Sequence, residues 1–202
     1  MSKKLEQLLT AARNNYETGN YEQAIKTLLK ANDHAEKSGD VLDRFETLTA
    51  LGSTYARAGQ SQKALHEYTR AMNLCVFADL GAFAAGACLA STSHVYFDLA
   101  MPIECEETAK NSLQILKQNQ GVDPSAVLMP LEALVKLNLK EDNPEMAHSY
   151  IQQVIDIAKR HTGLNSQRSI ETIMNAIVAL QEGTKAQYKD DLAALTKLKS
   201  ID

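Results

Sequence analysis

An all-α solenoid of about five antiparallel helix hairpins is the fold this sequence predicts, on three observations. Apolar residues recur at helical spacing, as in Leu5, Leu8, Leu9 and Ala12, then Ala24, Ile25, Leu28 and Leu29; this is the period of a helix that buries one face. Breakers such as Gly19-Asn20, Ser38-Gly39-Asp40 and Gly59 arrive at helix-length intervals, too far apart for strands. The segment Tyr16–Ile25 returns, blurred, as Tyr55–Leu65. A repeat of that length is one supersecondary unit that cannot bury its apolar face alone, so copies must stack.

The elements follow in order. Gly19-Asn20 ends the first helix and opens the second, with Asn20 and Gln23 spaced as a capping box. Ser38-Gly39-Asp40 stops the second helix and caps the third. The least marked boundary lies between Met72 and Gly81, where only Asp79 looks like a cap. Pro102, Pro124 and Pro144 each suit a first turn. Lys159-Arg160-His161 then Gly163 reads as a basic last turn with a C-terminal glycine, and Thr184 with Gln187 as another capping box. The predicted pairs are 3–18 with 21–38, 41–58 with 62–77, 80–99 with 103–119, 124–141 with 145–162, and 166–182 with 185–199. They make a single repeat domain over 1–202, with units at 3–38, 41–77, 80–119, 124–162 and 166–199.

Composition narrows the function. Aromatics are 5% with no Trp, which favours close helix packing over strand pairing. A net charge of −4 gives no electrostatic footprint for nucleic acid or an anionic membrane. No apolar run reaches transmembrane length, and Glu6 and Gln7 interrupt any signal peptide. Three cysteines, Cys75, Cys88 and Cys105, form no paired framework, so a reducing, cytoplasmic setting is expected. No phosphate-binding, dinucleotide, zinc-protease or nucleophile-elbow motif is present, and no cofactor or metal is expected. The acidic residues Glu104, Glu106 and Glu107, at a helix start, and Asp190 and Asp191, expected just beyond a first turn, read as complements to helix dipoles.

In the second pair, Leu51, Gly52, Tyr55, Gly59, Ala64, Leu65, Tyr68 and Ala71 stand where the tetratricopeptide repeat (TPR) carries its signature residues, and the chain resembles that family. Gly19, Tyr21, Ala24, Ile25, Leu28 and Ala31 repeat the pattern in the first pair, and it weakens through the third and fourth. In the fifth pair Tyr188 replaces the small residue, so that unit looks like a cap. The small-residue slot runs Ala24, Ala64, Cys105, Ala147, Tyr188, in steps of 40, 41, 42 and 41 residues. The commonest repeat is about 34 residues, so each helix is expected to be about a turn longer. The resemblance implies a right-handed superhelix acting as a non-enzymatic protein-interaction module.

It also implies where a partner sits, on the stripe of each first helix that lines the concave groove. Those stripes are Leu9, Arg13, Tyr16 and Glu17; Thr49, Ser53, Ala56 and Arg57; Ala90, His94, Phe97 and Asp98; and Glu132, Lys136, Leu139 and Lys140. Arg13, His94 and Lys136 occupy equivalent places, with Arg57 and Lys140 one turn on. Base gathered in the groove of an acidic chain suggests an acidic or C-terminal peptide ligand, with Tyr16 and Phe97 giving apolar contact. Glu17, Asp98 and Glu132 dilute that field, and the plainer alternative is a set of ordinary solvated residues. The family's clamp for chaperone C-terminal carboxylates is not expected, because Leu9, Arg13, Ala50, Ala87 and Ser91 occupy its positions and only Arg13 suits a carboxylate. Two rivals stay open. One is a small-peptide sensor, although no length is spare for an effector domain. The other is an assembly subunit docking through the exposed face of the last helix, Tyr188 to Leu198, or the small-residue tract Gly81–Ala87.

Overall fold

The computed structural model describes residues 2–119, 121–161, 163–180 and 182–199. Helices α1 (Lys3–Glu17) and α2 (Tyr21–Ser38) form the first hairpin, α3 (Val41–Arg57) and α4 (Ser61–Phe77) the second, and α5 (Ala82–Asp98) and α6 (Pro102–Gln118) the third. The fourth pairs α7 (Leu128–Lys140) with α8 (Pro144–Arg160). Then come α9 (Leu164–Val178), a one-turn α10 (Glu182–Lys185), a 3-10 turn at Ala186–Tyr188, and α11 (Lys189–Lys199). Residues 1, 120, 162, 181 and 200–202 of the expected spans lie outside the described residues.

The hairpin turns share one geometry that the sequence disguises. Gly19 and Gly59 sit at φ +77° and +71°, and Ala100 and Asp142 take the same place at +55° and +54°. In each turn the next N–H reaches back to a carbonyl five residues earlier, as from Met101 to Tyr96 (3.0 Å) and from Asn143 to Asn138 (2.9 Å). A side chain in the left-handed region costs roughly 1–2 kcal/mol, partly offset by the greater unfolded-state entropy of glycine. Ala100→Gly is therefore expected to stabilise the protein by about 0.5–1 kcal/mol, read as a higher urea midpoint at unchanged slope. A lower midpoint would contradict this account of the turn.

Several boundary expectations need correction. Asp79 is not a helix cap: it is the left-handed residue (φ +48°) of the α4–α5 turn, and Gly81 at φ +89° precedes α5. The Asn20 side chain bonds Thr18 Oγ1 (3.1 Å) and makes no capping bond to α2, so the box with Gln23 does not form. Asp40 does cap, accepting from the Asp43 N–H at 2.9 Å. α7 starts at Leu128, after a 3-10 turn at Pro124–Val127. A helix running from 124 would place Pro130 in its interior, where the missing N–H and the ring clash break it; starting at Leu128 leaves Pro130 in the first turn. Gly163 is extended (φ 172°) and precedes α9 instead of closing α8, and Thr184 lies inside α10 rather than capping it.

Packing explains the small-residue period. Ala24, Ala64, Cys105 and Ala147 are all fully buried, each in the first turn of a second helix where the paired helix approaches. At Gly52 a Cβ would stand 2.9 Å from the Tyr68 ring, so glycine makes room for that ring within the hairpin. The Tyr68 hydroxyl lies near Ser53 and, in the next unit, Ser91, and burial pushes its pKa up despite them. Arg70 ties units one and two by pairing with Glu36 and Glu67, both at 2.8 Å. Each second helix packs against the following first helix, and α7 meets α5, α6, α8 and α9. The first helices thus form an inner layer that is closest from α5 to α9. Leu128, Leu131, Leu134, Val135, Leu137 and Leu139 are buried there, which leaves α7 few polar positions: Glu132, Lys136, Lys140 and the buried Asn138.

Candidate functional site

The seven expected contact residues fall into two groups. Toward the N-terminal end, Arg57 Nη2 donates to the Tyr21 hydroxyl at 3.5 Å, and Tyr21 meets Tyr16 edge-on at 5.7 Å between ring centroids. Arg13 is exposed on α1 and makes no ion pair with a described residue. Tyr21, on a second helix, was not part of the expected stripe, yet it bridges Tyr16 and Arg57.

The second group is tighter. Lys136 Nζ lies 4.5 Å from the Phe97 ring centroid and Lys140 Nζ 5.2 Å, so two ammonium groups share one aromatic ring. Such cation–π contacts are worth about 0.5–1 kcal/mol when exposed and more when desolvated. His94 Nε2 lies 3.0 Å from the Met129 carbonyl. A carbonyl only accepts, so Nε2 carries the proton and donates it. The same nitrogen stands 4.0 Å from Glu132 Oε1. Ala90 and Leu139, placed on the groove stripe by spacing, belong instead to the core.

Electrostatics in this group follow from the crowding of the inner layer. Glu132 is 14% exposed and His94 22%. Burial pushes the Glu132 carboxyl up to about 7, although Lys136, a Ser169 hydrogen bond and Arg168 pull it the other way. Burial, then Lys136, holds His94 down to about 4, against the Met129 bond. Glu132 therefore dilutes the positive field only in part at neutral pH. Arg168 and Ser169 sit on α9, one unit beyond the last of the four expected groove stripes.

Other candidates resolve plainly. Cys75, Cys88 and Cys105 are buried free thiols. Burial pushes Cys88 up to about 12 and Cys105 to about 11, so neither is an activated nucleophile. The small-residue tract is used internally: a Cβ on Gly86 would stand 2.6 Å from Leu116, and the Ser112 hydroxyl donates to the Gly86 carbonyl at 2.7 Å. Beside it Phe77 is 88% exposed. Asp190 and Asp191 lie within the first turn of α11, not beyond it, and Asp191 is buried against His148 Nδ1 and Gln152 Nε2 of α8. Tyr188, 1% exposed, packs its ring at a tilt against that of His148 and contributes nothing to an exposed last-helix face.

The fold and this inner layer define a helical-repeat protein of the TPR-like class. The tetratricopeptide repeat family model matches residues 5–75, the first two hairpins. Among curated proteins no sequence match is found. A kinesin light chain-like protein of Podosopora anserina, with nearly identical TPR-like repeats, is 16% identical at a TM-score of 0.71, over 100% of this chain and 96% of that one. BtubC from P. vanneervenii is 15% identical at a TM-score of 0.75, over 96% and 79%. A Rap protein complexed with competence and sporulation factor is 10% identical at 0.75, over 98% of this chain and 55% of its own. The chain is similar to TPR proteins by sequence in its first two hairpins and by fold throughout. No helix among the described residues is long and apolar enough to cross a membrane.

Proposed function

We propose that this chain is a non-enzymatic interaction module of the cytoplasm, one repeat domain whose concave inner layer holds an extended or helical segment of a partner protein. The observation that carries this reading is the pair Lys136 and Lys140 held over Phe97 beside half-buried His94. Cations preorganised on an aromatic ring lose less freedom on binding than solvated lysines do. An acidic or C-terminal segment is the complement they select. Arg57, Tyr16 and Arg13 form a second foothold along the same layer. The likeness in fold to a Rap protein complexed with competence and sporulation factor supports a partner held by the repeats.

Pull-down from native extract tests the reading. The double variant Arg13→Ala, Lys136→Ala is expected to lose the captured partner several-fold, since each close charge pair contributes about 0.5–1 kcal/mol. Its melting temperature should fall by no more than about 2–4 °C, because Arg13 is exposed and Lys136 gives up only its cation–π contact with Phe97. Single variants separate the footholds: equal losses mean a ligand spanning both. The same proteins captured at the same yield by the double variant would end the groove assignment.

A further inference from the structure

Glu132 is a carboxylate already seated among the cations that a ligand's carboxylate needs. On α7 itself Lys136 lies one turn on, with Lys140 beyond it. From α5, His94 Nε2 stands 4.0 Å away, with Asp98 one turn further along. From α9, Ser169 and Arg168 both favour its charged form. The remaining neighbours, α6 and α8, meet α7 through apolar residues such as Ala109, Leu116, Ile151 and Val154, and the Cys105 thiol is neutral. We propose that Glu132 is an internal competitor for the partner, and that a carboxylate of the bound acidic segment takes its place beside Lys136 and Arg168. This rests on the concave-groove reading above and adds to it the chemistry of the ligand and the residue that gates it.

The physical basis is the cost of two carboxylates in one half-buried cluster. Both cannot stay charged at close range, so one must leave or take up a proton. Glu132 is the one prepared to do so, since burial already pushes it to about 7. A second anion beside it raises it further. Below pH 7 Glu132 is neutral and the cluster is net cationic; above, it is ionised and repels the ligand. Affinity for an acidic segment therefore falls as pH rises through 7. His94, held down to about 4, stays neutral over this range and adds no step.

A rhodamine-labelled hexa-aspartate peptide, ionised throughout because free Asp titrates near 3.9, serves as probe. Between pH 6 and pH 8, anisotropy should show the dissociation constant rising about tenfold for the unsubstituted protein, the limit for a single linked proton being tenfold per pH unit. Glu132→Gln should bind at pH 8 about as tightly as the unsubstituted protein binds at pH 6, with a flat profile. Calorimetry of the unsubstituted protein at pH 7.5, in two buffers of different ionisation enthalpy, should show proton uptake, a readout independent of any variant. Binding that needs Lys136 but keeps its pH profile in Glu132→Gln, or that takes up no proton, overturns the competitor and leaves the groove standing. No binding by either protein at pH 6 overturns both.

Discussion

Tyr188→Ala is expected to cost about 3–5 kcal/mol, the range for removing a buried aromatic side chain, and to spend that loss almost wholly at the C-terminal end. Tyr188 replaces the small residue of the repeat, lies 1% exposed, and packs its ring 4.8 Å from that of His148 on α8. The chain around it is short: a one-turn helix, a 3-10 turn and the eleven residues of α11, with Leu195 as their buried anchor. Beside it Asp191 holds His148 and Gln152, so the cavity would loosen a buried polar contact as well. In a stacked array each unit touches only its neighbours, and stability is close to a sum of unit and interface contributions. Hydrogen exchange should thus show α9 and α11 losing protection by several powers of ten, with α1 to α4 little changed. Tyr188→Phe, which keeps the ring, should stay within about 1.5 kcal/mol. Equal loss of protection from α1 to α11 would mean that the chain unfolds as one unit, contrary to this view of the last hairpin as a cap.

Local physics was legible in the sequence and stacking geometry was not. The helices of the first three hairpins lie within two residues of their expected ends, since Gly19, Gly39, Gly59 and Pro102 punctuate them directly. The small-residue slot was readable because a buried helix contact tolerates only small side chains, and all four of its small members are fully buried. Where the turn residue was Ala100 or Asp142, the same left-handed geometry carried no glycine to announce it. In the candidate site, Phe97, Lys136 and Lys140 were found on one stripe, but their meeting over a single ring depends on how closely α5 and α7 approach. The burial of Glu132 depends on that approach too. Several polar contacts between units join residues 34 to 43 apart, such as Glu36 with Arg70 and His148 with Asp191. One period of offset, applied to polar residues as well as apolar ones, is the signal that would have revealed them.

That same approach of α5 to its neighbours rests on Gly86, and Gly86→Val should cost about 3 kcal/mol, at the upper end for overpacking a core. Even an ideal Cβ at this position would stand 2.6 Å from both Cγ and Cδ2 of Leu116. Cγ is not the free end of a side chain, and Leu116 is itself buried in the core shared by α6, α7 and α8, so it has little room to turn aside. Helix propensity offers small relief, since valine gains only a few tenths of a kcal/mol over glycine. The helices must part, which stretches the 2.7 Å bond from Ser112 to the Gly86 carbonyl. A compensating Leu116→Ala separates this from general damage: the double variant should be more stable than the sum of its singles by about 0.5–3 kcal/mol. Additive losses would show that Gly86 and Leu116 do not share a seam. Because α5 also carries His94 and Phe97, Gly86→Val should slide them relative to Lys136, Lys140 and Glu132. Ligand affinity should therefore drop in the single variant even at temperatures where it stays folded, and recover with Leu116→Ala.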